Sequence, residues 1–169
     1  TAIFLFAIYA ARATVRRVIG AAVGGAAFFA VTFWLARIAR SLGWWHFSLT
    51  PMPDIPAVLF VIGFCAYGST LALVSWRAAR RYGWRGLVAI VSLFSVAGPV
   101  RDYLGAAMTD VIVIAPGLRP ALGWSVCWAV AVTMMYGAMR LVAGPARTDA
   151  LAGSDRRSRS AMVSSIHTP

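Results

Sequence analysis

The stretch GLVAIVSLFSVAGPVRDYLGAAMTDVIVIA, residues 86–115, decides how many times this chain crosses a membrane. Its first half, Gly86–Val100, carries no charge over 15 residues. Arg101 and Asp102 then interrupt, and Asp110 sits inside the apolar run that follows. As one helix the stretch measures about 45 Å, which exceeds a hydrocarbon core of roughly 30 Å. Pro99 removes a backbone donor and crowds the preceding turn, so it marks a kink or break. The stretch is therefore read as one span over about 84–100. Beyond the kink it continues into a shorter segment, 101–115, that is interfacial, re-entrant or an extension of the helix.

The other spans follow from length alone. Val18–Ala36, Ile55–Trp76 and Pro120–Met139 are uncharged over 19, 22 and 20 residues, and about 20 helical residues cross a bilayer. With 60% hydrophobic and 12% charged residues, the chain lacks the polar groups that coat a soluble domain of this size. The expected fold is all-α, a polytopic membrane bundle of four helices over about 18–36, 55–76, 84–100 and 120–141. It occupies residues 1–143. Thr1–Ala11 is apolar but too short to span, and reads as the end of a truncated helix or as an interfacial helix. It is a poor signal peptide, because Arg12, Arg16 and Arg17 follow it instead of preceding it.

The arginines argue against a fifth span. All sixteen basic residues are arginine, the acidic residues are five aspartates, and the net charge is +11. Arg12, Arg16 and Arg17 precede the first span; Arg77, Arg80, Arg81 and Arg85 follow the second; Arg147, Arg156, Arg157 and Arg159 follow the last, with Arg140 at its end. Four spans put these three clusters on one side, which the positive-inside rule makes cytoplasmic. A fifth span at 103–115 would put the tail outside. The arginines form no stripe interleaved with aromatics, so nucleic acid is not an expected partner. The lipid bilayer is. The arginine and alanine bias points to a GC-rich bacterial genome, hence an inner-membrane location.

Trp34, Trp44, Trp45, Trp76, Trp84, Trp124 and Trp128 fall near the ends of these spans, where indoles favour the headgroup region; Trp128 is deep enough for ordinary packing. Gly144–Pro169 is polar and arginine-rich, with too few large apolar residues to order itself, and reads as a disordered cytoplasmic tail. Cys65 and Cys127 lie inside apolar runs and read as free thiols.

Gly20, Gly24 and Gly25 give the first span a smooth face on which another helix backbone can pack closely, either within the chain or in a homodimer. Gly63, Ala66 and Ser69 offer a similar face on the second.

The candidate polar site is Arg101, Asp102, Asp110, His46, Asp54 and Arg119. Each intramembrane charge needs water or a partner, at a cost of about 2.5–3.5 kcal/mol when centred in the bilayer. Asp102, Ala106 and Asp110 fall at i, i+4 and i+8, so a helix would place both carboxylates on one face, as a proton or cation site does. On the plainer reading, Arg101 and Arg119 neutralise the two aspartates at a wet interface. The connection GWWHFSLTPMPDIP (Gly43–Pro56) brings His46 and Asp54 to the same side. No metal-ligand pair spacing, nucleophile motif or phosphate loop occurs, and no metal or cofactor is expected.

Two functions remain. The first is a structural or accessory membrane subunit, packing with itself or with a larger membrane complex and without enzymatic activity. The second is a small transporter or an intramembrane enzyme acting on a lipid or isoprenoid through the outward-facing Asp/Arg/His pocket.

Overall fold

A computed structural model describes residues 5, 6, 9, 14–48, 57–109 and 112–146. The chain forms a four-helix bundle of α1 (Val15–Ser41), α2 (Ala57–Tyr82), α3 (Trp84–Met108) and α4 (Leu118–Ala143). All four are long and apolar enough to cross a membrane. Each exceeds its expected span by a few residues at one or both ends, because the helical hydrogen-bond ladder continues past the apolar run into polar termini. The large side chains left on the outside include Phe33, Val58, Ile62, Leu93, Val96 and Leu122. They suit a lipid solvent, in which such faces need no cover.

The helices pack as a ring in which α1 touches α2 and α4, and α3 touches the same two. Small residues set the contacts of α1. A methyl group added at Gly20 would come within 3.0 Å of the Ala143 methyl on α4. One at Gly24 would come within 3.0 Å of the Met135 carbonyl oxygen and 3.1 Å of the Ala72 methyl. At Gly25 it would run into the Ser69 hydroxyl and the Cys65 carbonyl on α2. All three glycines are thus used within the chain. On α2 the close approach lies at Gly68, against Phe28, and not at Gly63, which has nothing within 4 Å. Two consecutive helices, α2 and α3, are joined by Gly83 alone, whose φ of 67° favours a residue without a side chain.

The third helix departs from expectation. It shows no break at Pro99 but runs on as helix to Met108. Proline inside a membrane helix is tolerated where neighbouring helices hold the segment. Here Gly98 and Pro99 are both buried, and Gly98 lies so close to the Trp128 indole of α4 that a Cβ there would enter the ring. Residues 101–108 are therefore an extension of the span. Thr109 is extended and ends the helix.

A short antiparallel pair, β1 (Trp45–Phe47) and β2 (Ile112–Ile114), joins the two connections at this end. Trp45 faces Ile114, His46 faces Val113 and Phe47 faces Ile112 in register. The Ala115 N–H donates to the Trp44 carbonyl over 2.8 Å. This hairpin-like cap was not foreseen, because its two strands are three residues each and 64 residues apart.

The opposite end is held by arginines. Arg17 is buried and stacks over the Trp76 ring at 4.5 Å, with Arg80 over the same ring at 5.6 Å. Arg16 Nε donates to the Val142 carbonyl over 2.9 Å, satisfying one of the orphan acceptors at the end of α4. Residues read as orientation signals also tie three helices together. The tryptophans divide similarly: Trp34 and Trp84 are exposed, as interfacial anchors would be, but Trp45, Trp76, Trp124 and Trp128 are buried. The tail from residue 147 and the segment before residue 14, apart from three isolated positions, lie outside the described residues.

Gly25→Ala is expected to lower the unfolding free energy of the detergent-solubilised protein by about 2 kcal/mol, the usual cost of overpacking. Gly63→Ala, with open space, should leave it unchanged or slightly raised. Equal effects in thermal melts would contradict the packing described.

A buried carboxylate and its cavity

At the capped end of the bundle α3 presents Asp102 to its neighbours. Its side chain is 8% exposed, and it is the sole acidic residue among those described. Four donors converge on it. Trp124 Nε1 and Trp128 Nε1 each donate to Oδ2 over 2.9 Å. Arg101 donates to Oδ1 through Nε at 2.9 Å and through Nη2 at 2.5 Å. The two indoles come from one face of α4 because they are four residues apart. Asp102 thereby joins α3 to α4 by two charge-assisted bonds.

Arg101 extends the network to α2. Its Nη1 donates to the Tyr67 hydroxyl over 2.7 Å. The guanidinium lies 5.0 Å from the Tyr67 ring centre and 5.2 Å from that of Trp128, within cation–π range. Trp128 is the hub of the surrounding aromatics: it stacks on Phe94 at 6.2 Å, meets Phe28 of α1 at 5.7 Å and Tyr67 edge-on at 6.4 Å. Trp45 of the cap packs on Trp124 at 4.4 Å.

Beside this network lies a cavity of about 90 Å³. Its apolar wall includes Phe28, Leu35, Phe64, Ile112 and Cys127, and its polar lining is Thr32, Arg101 and Asp102, with Trp45 and Trp124 on the cap side. The Arg101 side chain, part of this lining, is 54% exposed. The Thr32 hydroxyl is buried and makes no hydrogen bond. The Ser75 hydroxyl on α2 shares this lack, whereas those of Ser69, Thr70, Ser95 and Thr133 within helices, and of Thr109 at the end of α3, each donate to the carbonyl four residues back.

Of the six expected site residues, the structure brings two together, Arg101 and Asp102. His46 is exposed on β1, facing Val113 in the register, and does not line the cavity. Arg119 is exposed in the first turn of α4 and is not bonded to Asp102. Asp54 and Asp110 lie outside the described residues. The i, i+4, i+8 alignment involves Asp110 and so lies outside the described residues as well; α3 itself ends at Met108, and Thr109 is extended. No group of three or more His, Cys, Asp or Glu able to hold a metal occurs among the described residues. The partners that matter were missed as site residues: Trp124, Trp128, Tyr67 and Thr32. Trp124 and Trp128 had a readable signal, two donors at i, i+4 inside a span with a buried aspartate elsewhere in the chain. Tyr67 and Thr32 had none. Cys65 and Cys127 are both half-buried free thiols.

No protein-family model, curated protein or solved structure matches this chain.

Removing the hub should cost more than removing a spoke. Asp102→Leu leaves two buried indole N–H groups and a guanidinium without their acceptor, and is expected to destabilise by about 3 kcal/mol. Trp124→Phe deletes one donor and should cost about 1 kcal/mol, within the range of single polar contacts in membrane bundles. Denaturation in mixed micelles checks both. Asp102→Leu as stable as wild type would show that the network does not hold the bundle.

Proposed function

We propose that this protein is a structural or accessory subunit of a bacterial inner membrane, a small bundle that associates with itself or with a larger membrane complex. The observation that carries this reading is the saturation of Asp102. Its two oxygens already accept four donors from within the fold, so the carboxylate is committed to holding α3 against α4 and leaves little capacity for proton or cation chemistry. A general base or ion ligand must release and regain a partner; this one sits in a closed set of bonds. The exposed apolar faces of all four helices are consistent with either lipid or partner helices around the bundle.

The arginine-rich end is assigned to the cytoplasm, together with the C-terminal tail. Support comes from Arg16, Arg17, Arg77, Arg80, Arg81, Arg85 and Arg140 lying at the same end of the bundle. Alkaline phosphatase fused after Ala143 should be inactive, and the same enzyme inserted after Ser48 should be active. The reverse pattern would invert the orientation.

One observation favours the second reading, a transporter or an enzyme acting on a lipid or isoprenoid: the cavity beside Arg101. The two are separated by complementing a deletion strain with Asp102→Asn while measuring membrane abundance by immunoblot. On the accessory reading, rescue follows the amount of folded protein. Lost rescue at full abundance would mean that the carboxylate acts chemically, and the second reading would take its place.

A further inference from the structure

The cavity at the capped end carries more hydrogen-bond donors than its surroundings use. A guanidinium has five N–H groups; Arg101 spends one from each nitrogen, on Asp102 and on Tyr67. Two N–H groups are left, on a side chain that is 54% exposed and lines the cavity. The Thr32 hydroxyl at the cavity wall is buried without any hydrogen bond. The neighbouring acceptor, Asp102, is already filled. Such an inventory calls for a ligand rich in acceptor oxygens.

Placement narrows the ligand further. Arg101 lies seven residues before the end of α3, about 10 Å below the capped end at the helical rise. Its guanidinium is positioned within cation–π range of both the Tyr67 and Trp128 rings, and an always-charged planar donor group held in place suits phosphate oxygens. The remaining wall, Phe28, Leu35, Phe64 and Ile112, is apolar. A volume of about 90 Å³ has room for roughly six water-sized groups, enough for a phosphate and the carbons next to it but not for a whole lipid. We propose that this cavity binds the phosphate head of a bilayer amphiphile, with the head on Arg101 and Thr32, the adjoining carbons on the apolar wall and the chains left in the membrane. This site rests on the cavity and its donors, and it stands whether the bundle is an accessory subunit or acts on its ligand.

Native mass spectrometry of the full chain in a neutral detergent tests this with three probes: dioctanoyl phosphatidic acid, dioctanoylglycerol and inorganic phosphate. The first should give a saturable one-to-one adduct, and the second should bind at least tenfold more weakly. Ala36→Phe, which fills the cavity from α1, should weaken phosphatidic acid at least tenfold. Thr32→Val, which keeps the shape and deletes one donor, should weaken it about threefold to tenfold. Arg101→Lys keeps the charge and loses the fork, and should also weaken it about tenfold. Melting of each variant shows whether it is folded, and Thr32→Val carries the test if the bulkier changes do not fold. Absence of a saturable adduct, or equal binding by every folded variant, would overturn the proposal. Inorganic phosphate binding as tightly as the lipid would overturn the assignment to an amphiphile.

Discussion

A charge inside a bilayer has no water to fall back on, and the Asp102 carboxylate answers this constraint with four donors from its own chain. Arg101 supplies the countercharge, and the two indoles supply neutral N–H groups that occupy the other oxygen. Neutralisation alone would leave lone pairs unspent in a medium that gives nothing back. The indoles complete the set, and because they belong to α4 they make the solution a tertiary contact. In membrane bundles apolar burial contributes little between helices, since lipid is as apolar as leucine. A saturated polar cluster therefore weighs more here than a comparable one at a soluble surface.

Much of the capped half of the bundle follows from that contact. Trp128 can reach Asp102 only if α3 and α4 approach closely, and Gly98 provides the approach. Pro99, next to it, sits in the same buried face, so the segment that proline would loosen is clamped by the partner helix. Tyr67 brings α2 to Arg101, and Phe28 brings α1 to Trp128. The cap adds Trp45 on Trp124. At the arginine-rich end the same logic appears with the sign reversed: Arg17 and Arg80 share the Trp76 ring, and Arg16 takes up a carbonyl at the end of α4.

How much of this was legible in the chain depends on the range of the forces involved. Helix number and class were legible because uncharged length is a local property; Val18–Ala36 or Pro120–Met139 needs no partner to be recognised. The pairing of Arg101 with Asp102 was also local. Beyond the glycine face of α1, what could not be read was which side chains meet across helices, because helix rotation sets that. Trp124 looked like an interfacial anchor and Trp128 like ordinary packing, because depth along a helix is visible in sequence and the direction of a side chain around it is not. Pro99 looked like a break because its clash is local, whereas the Gly98–Trp128 contact that holds it is 30 residues away. His46 and Asp54 were grouped with the site by sidedness alone, and His46 faces outward on a strand that only pairing with Ile112–Ile114 creates.

The central claim is that Trp124 and Trp128 both donate to one buried carboxylate. Indole N–H resonances of the ¹⁵N-labelled protein in nanodiscs, assigned by single Trp→Phe changes, test it directly. The expected result is that these two resonances lie downfield of those of the exposed Trp34 and Trp84, resist exchange with deuterated water, and both shift when Asp102 is changed to Asn. Two indole resonances that exchange as fast as those of Trp34 and Trp84, and that ignore the change at Asp102, would contradict the account.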